Sequence, residues 1–153
     1  PGEEEETVTR LSRVGFDNIL GHLKGGFMAW RMAGKEVDLV ERISAKQFAR
    51  ELDPLTDKVI DVRKETEYSA EHVENAYNRP LAYINEWIRD INPEEHFYIH
   101  CAGGYRSMIA ASILQSRGFR NFTEIEGGFK NISETEVPKT DFVCQSKVMK
   151  AGL

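Results

Sequence analysis

The chain has 153 residues and a formal charge of −5, from 25 acidic against 20 basic side chains. That length builds one substantial domain plus an appendage. The acidic balance leaves no basic footprint for nucleic acid, and no apolar run approaches the ~20 residues that cross a bilayer, so neither is an expected partner. Cys101 and Cys144 lie 43 residues apart without Cys/His ligand spacing. That argues against a disulfide framework or a zinc site and for a reducing, cytoplasmic setting; no metal or cofactor is expected. Pro1 in place of a starting methionine points to processing or trimming.

Taken in order, residues 1–14 open with Glu3 to Glu6 and continue with Val8, Leu11 and Val14. This spacing predicts a helix whose acidic first turn complements the helix dipole. Asn18-Ile19-Leu20 is a short strand candidate, and Gly25-Gly26-Phe27-Met28-Ala29-Trp30 predicts a short helix ending before Gly34. The same signals return in Gly118, Phe119 and Asn121, 103 residues after Gly15, Phe16 and Asn18. Gly128 and Phe129 follow Gly26 and Phe27 by 102. This is an internal repeat. Projected backwards, Arg106 falls on Glu3 and Cys101 falls before the chain begins, so residues 1–38 read as the truncated tail of a preceding, inactive copy plus linker. Residues 39–153 read as the complete domain, with Lys35 to Glu41 linking the two. Phe16, Phe27 and Trp30 give the front half-repeat apolar surface to bury, which predicts homodimer formation through it.

Within the complete domain, Ser44 caps a predicted helix over Ala45 to Leu52 whose Phe48 and Leu52 share a face. Lys58 to Arg63 predicts a buried strand that delivers Asp61 and Arg63 at its C-terminal end, where open α/β sheets place ligand crevices. A buried carboxylate and an arginine there also commonly satisfy each other. Glu65 to Glu74 reads as charged and irregular. Ala76-Tyr77-Asn78 reads as a short strand, and Leu81, Ile84, Trp87, Ile88 and Ile91 mark an amphipathic helix closed by Asn92-Pro93. A strand ends at Phe97-Tyr98-Ile99, a helix is marked by Met108, Ile109, Ser112, Ile113 and Ser116, and another strand covers Phe122 to Ile125. The alternation implies βαβ units, a mainly parallel sheet and helices on both faces.

The stretch with chemistry is His100-Cys101-Ala102-Gly103-Gly104-Tyr105-Arg106-Ser107, at a strand-to-helix turn. Gly103 and Gly104 permit positive φ, so successive N–H groups can converge on one atom. A thiol at a helix N-terminus beside Arg106 has its thiolate favoured by dipole, donors and guanidinium. Cys101 is therefore a candidate nucleophile. His100 points away from it by strand alternation, and His72 reads as a capping or core residue. Cys144 lacks an activating setting, while Trp30 and Trp87 read as packing residues.

These residues resemble the successive motifs of a rhodanese domain: Val59 to Arg63, Glu67-Tyr68, Glu71-His72-Val73 with Ala76, Asn78 and Pro80, the Cys101 to Arg106 loop, and Glu126-Gly127-Gly128-Phe129. Glu71 departs from the family's usual glycine before histidine, which puts the local turn in question. The resemblance implies a five-stranded α/β fold and a sulfurtransferase. Cys101 would take sulfane sulfur from thiosulfate or a glutathione persulfide-like donor as a persulfide and pass it to a nucleophile. Ala102, Gly103, Gly104, Tyr105 and Arg106 would bind the anionic sulfur and the donor. The cell-cycle tyrosine phosphatases that share the fold have five residues between Cys and Arg, whereas Cys101 and Arg106 enclose four. The narrower loop suits sulfur. A non-catalytic binding module is the other reading, disfavoured by the cysteine. The front segment from Glu4 to Asp38 resembles the region between rhodanese units in bacterial fusions with a metallo-β-lactamase-fold domain, which implies such a domain as a fused partner.

Overall fold

A computed structural model of the chain describes residues 2–13, 15 and 17–144. Two compact units are present, Pro1–Leu39 and Val40–Leu153. The first holds α1 (Glu4–Ser12), with Glu4, Glu5 and Glu6 in its first turn, and α2 (Gly26–Met32). Asn18 to Leu20 is not a strand; it has no regular structure, and Leu20 is 93% exposed. The equivalent segment of the second copy is a strand held between two neighbours. The described residues of the first unit supply no strand to pair with, and an unpaired strand leaves its backbone groups unsatisfied. None of them is buried, and Trp30, expected to pack, is 43% exposed with Nε1 donating to Glu36 O at 2.8 Å. Val14 and Phe16 lie outside the described residues.

The second unit is a five-stranded parallel sheet in the order β1-β5-β4-β2-β3. The strands are β1 (Arg42–Ser44), β2 (Lys58–Asp61), β3 (Tyr77–Asn78), β4 (Phe97–His100) and β5 (Phe122–Glu126). β1 carries no periodic signal because it is only three residues long. One face is covered by α6 (Tyr105–Ser116) and a helical segment from Leu81 to Asp90. The cluster there contains Ile84, Trp87, Ile88, Ala110, Ala111 and Leu114 with Ile60, Phe97 and Ile99. The other face is covered by α3 (Ala45–Glu51) and α7 (Gly128–Ile132). Phe48, Phe129 and Ile132 pack there with Val59, Tyr98 and Ile125. Side chains of this size stabilise the fold by about 1.5–3 kcal/mol each on burial.

Ser44 caps α3 as its position predicts, its Oγ accepting the Gln47 N–H at 3.1 Å. Two other expectations are corrected. Residues 65–74 are not irregular throughout, since α4 spans Glu65–Ala70. The Lys64 N–H donates to Glu67 Oε2 at 3.3 Å, so a glutamate three residues in satisfies an orphan donor at the helix start. Leu81 to Ile91 is not one α-helix but 3-10 (Leu81–Tyr83), α5 (Ile84–Trp87) and 3-10 again (Ile88–Asp90). The spacing of three among its apolar residues is the 3-10 repeat. The helix expected over Met108 to Ser116 is present as α6, which buries Ser107, Ala110, Ala111 and Leu114, while Ile109 is 37% exposed. Small residues on the buried face let the helix lie close to the sheet, and Ile113 packs at the edge of that cluster. Glu71 adopts extended backbone, φ −168°, which needs no glycine.

Candidate active site

β4 is the central strand, and Cys101 follows its last residue at the C-terminal edge of the sheet. The register pairs Asp61 with His100, and the Val62 N–H donates to His100 O at 3.0 Å, so the ends of β2 and β4 present their next residues side by side. Alternation puts Phe97, Ile99 and Cys101 on the α6 face and Tyr98 and His100 on the other.

Cys101 is 1% exposed. Gly104 takes φ +95°, the left-handed conformation that turns the chain into α6, and its N–H donates to Cys101 Sγ at 3.1 Å. Gly103 does not adopt positive φ, contrary to the expectation for both glycines. Its N–H still favours the thiolate. Burial pushes the Cys101 thiol up, yet the Ser107 hydroxyl and the N–H groups of Ser107, Gly103 and Gly104 outweigh it and bring the thiol below its usual value. Ala102 is half-buried, and Tyr105 is 79% exposed at the start of α6.

Arg106 does not stand open as a simple cation. Its Nη1 and Nη2 donate to Glu67 Oε2 at 2.6 Å and Oε1 at 2.8 Å, a two-pronged pair between α6 and α4. Asp61 and Arg63 are also brought together. Arg63 donates to Asp61 through its backbone N–H at 2.9 Å, Nε at 2.8 Å and Nη2 at 2.6 Å, and to Glu71 O at 2.8 Å. Its guanidinium lies 4.0 Å over the Phe129 ring. This pair lies on the face of the sheet opposite the thiol, against Glu71 and Phe129, and does not line the thiol itself. His100 is fully buried on that face, with Nδ1 3.2 Å from Cys101 O and Nε2 4.0 Å from Asp61. Burial holds its pKa below the usual value, which favours the neutral ring, and strand alternation turns it away from sulfur. His72 stacks on Tyr68, ring centroids 3.7 Å apart, and its Nδ1 lies 2.7 Å from Tyr68 O. Cys144 is exposed.

The family model for the Rhodanese-like domain matches residues 44–135. The chain belongs to the rhodanese-like family. It is 32% identical over 72 residues to the thiosulfate sulfurtransferase GlpE of Coxiella burnetii, covering 47% of this chain and 67% of that protein. It is 32% identical over 89 residues to the adenylyltransferase and sulfurtransferase uba4 of Ogataea parapolymorpha, covering 58% of this chain and 22% of that one. It is 30% identical over 95 residues to the tRNA uridine(34) hydroxylase of Photorhabdus laumondii, covering 58% and 27%. The chain thus spans about a quarter of the length of the last two relatives. Among solved structures, a rhodanese-related protein of Thermoplasma volcanium superposes with a TM-score of 0.58 at 25% identity, covering 65% of this chain and 97% of that one. Among the described residues no helix is long and apolar enough to cross a membrane.

Three parts of this rhodanese-like site escaped sequence reasoning. Ser107 Oγ lies 3.4 Å from Cys101 Sγ and donates to Glu124 Oε1 at 2.6 Å. Glu124 is fully buried, and its Oε2 accepts Arg42 Nε at 2.7 Å. The third part is the start of α7, where the Phe129 N–H donates to Cys101 O at 2.6 Å and the Lys130 N–H to Ala102 O at 3.0 Å. The Gly127-Gly128-Phe129 motif could have pointed to the last. Nothing in the sequence marks Glu124, which sits in a strand among Phe122, Thr123 and Ile125.

Proposed function

We propose that the domain is a sulfurtransferase that carries sulfane sulfur as a Cys101 persulfide. The observation that supports it most is the Cys101 Sγ itself, buried at the mouth of α6 with the Gly104 N–H 3.1 Å away and further loop donors around it. In a site of this kind the thiolate attacks the outer sulfur of thiosulfate or of a low-molecular-weight persulfide. A new S–S bond forms to Cys101. The donor's own bond to that sulfur breaks, and sulfite or a thiolate leaves with the electron pair. Loop N–H groups then hold the anionic outer sulfur as an oxyanion hole holds oxygen. Cyanide, sulfite or a thiol attacks it next and restores the Cys101 thiolate, a double displacement with ping-pong kinetics.

Arg106 orients the donor in this reading. Its fork is already engaged by Glu67, so the donor shares a guanidinium whose charge is partly balanced. Arg106→Lys replaces a planar fork with a point charge and is expected to weaken donor turnover; unchanged donor kinetics would remove Arg106 from that role.

Incubation with thiosulfate followed by intact-mass measurement tests the whole proposal. One sulfur, about 32 Da, is expected on the wild-type chain and none on Cys101→Ser. An addition that persists in Cys101→Ser, or no addition with any sulfane donor, would leave a binding module as the better reading. Hydrolysis of an aryl phosphate that depends on Cys101 would instead favour a phosphatase.

A further inference from the structure

Sulfur transfer as described leaves one charged group beside the thiol unused. Glu124 projects from β5 into the space beneath the loop, fully buried, between Arg42 of β1 and Ser107 of α6. A carboxylate in that position costs stability unless it is paired, and a valine or isoleucine would suit the strand without that cost.

Ser107 has a single hydroxyl proton and three acceptors around it. Glu124 Oε1 lies at 2.6 Å, Gly104 O at 3.1 Å and Cys101 Sγ at 3.4 Å. The charge-assisted bond at the shortest distance takes the larger share of the proton. Sulfur is left with the longer, weaker share of that hydroxyl at 3.4 Å, less support for S− than an uncontested donor would give. Full donation to an ionised Cys101 requires the hydroxyl to turn further from Glu124 to Sγ, and ionisation places a second negative charge at the other end of the same serine.

We propose that Glu124, held by Arg42, is a positioning residue that competes with Cys101 for the Ser107 proton and thereby restrains ionisation of the nucleophile. The loop N–H groups draw the thiol toward thiolate, and the buried carboxylate draws it back. On ionisation the thiol proton passes to water, the serine keeps its own proton, and Glu124 keeps its bond to Arg42.

The other charges around the site do not duplicate this action. On the thiol's side, Arg106 of α6 is paired with Glu67 of α4, and Arg42 divides its guanidinium between Glu124 and Glu126, the latter at 3.5 Å. Asp61, Arg63 and His100 stand on the opposite face of the sheet. Glu124 alone among these is joined to sulfur through one hydroxyl.

The inference rests on Cys101 being the reacting thiol, and its readout is the ionisation of that thiol rather than sulfur transfer. The full chain is alkylated with iodoacetamide across a pH series, and the Cys101 peptide is quantified by mass so that Cys144 does not interfere. Glu124→Gln is expected to lower the midpoint of Cys101 alkylation by at least one pH unit, at least tenfold faster reaction on the acid side. Glu124→Asp keeps the charge but withdraws it by one methylene, so a smaller shift in the same direction is expected. Ser107→Ala should raise the midpoint more in the Glu124→Gln background than in wild type, since there the hydroxyl donates to sulfur without competition from a carboxylate. Unchanged or raised midpoints in both Glu124 variants, or a Ser107→Ala effect equal in the two backgrounds, would overturn the proposal. Should Glu124→Gln not fold, the Glu124→Asp midpoint and the 13C carboxyl resonance of Glu124 in the wild-type chain decide. That resonance is expected to step at the Cys101 midpoint and to lose the step after alkylation; a flat response would refute the coupling. Thiosulfate loading, followed separately by intact mass, can fail while these midpoints still shift, and the reverse also holds.

Discussion

Gly128 determines where the thiol loop rests. At φ +57° it lies in the left-handed region, and a Cβ there would strike the carbonyl group of Cys101. The next two N–H groups, of Phe129 and Lys130, hold the carbonyls of Cys101 and Ala102. Gly128→Ala must therefore strain its own backbone and push the loop away from α7 together. A loss of about 2–4 kcal/mol in denaturant unfolding is expected, with slower Cys101 alkylation at neutral pH. Gly127 also has positive φ, but the neighbour its Cβ would meet is the flexible Asn131 side chain. Gly127→Ala should cost less, and equal losses would show that the approach to Cys101 O is not what demands glycine.

Between elements, the Arg106–Glu67 pair joins α6 to α4. The hydrogen bond from Arg106 holds the Glu67 carboxyl below the usual carboxylate range. A carboxylate depressed in the folded state stabilises above its unfolded pKa, about 4.3, and that stabilisation disappears as pH falls through the folded value. The Tm difference between wild type and Glu67→Gln should be largest above about pH 5 and shrink in acid; a difference that grows in acid would contradict the pairing. The phase of α6 is testable in the same way. Leu114→Ala is expected to cost about 2–5 kcal/mol and Ile109→Ala less than about 1 kcal/mol, whereas the reverse order would place Ile109 on the buried face.

At the scale of the molecule the two units differ in what can hold them. The second has two packed layers around a continuous sheet. The first has helices of nine and seven residues, no buried residue among those described, and Phe27 and Met28 about 60% exposed. Helices that short are marginal in water without tertiary packing. Hydrogen exchange of the full chain is expected to show α1 and α2 amides exchanging orders of magnitude faster than those of β4 and β5. Comparable protection would mean that the apolar surface of the first unit is covered, as homodimer formation through it would do.

Periodicity, caps and turn residues are local, so the sequence by itself determined the alternation of strands and helices, the Ser44 cap, the repeat, and a cysteine at a strand-to-helix turn. Gly25 and Gly26 at the start of α2 take φ of 81° and 57°, matching 74° and 57° at Gly127 and Gly128, so even backbone conformation follows the repeated motif. What lay beyond reach depends on which distant segments become neighbours. Asn18 to Leu20 carries the strand signal of its later counterpart and lacks a ladder to join. The buried face of α6 follows from how close small residues let it approach the sheet, which apolarity alone does not encode. Arg106 meets Glu67 across 39 residues, and Glu124 joins Arg42 across 82 and Ser107 across 17. The cysteine's place was legible because the chain near it builds the turn; the charges that govern its proton were decided by parallel strand order, which brings β1, β5 and β4 side by side.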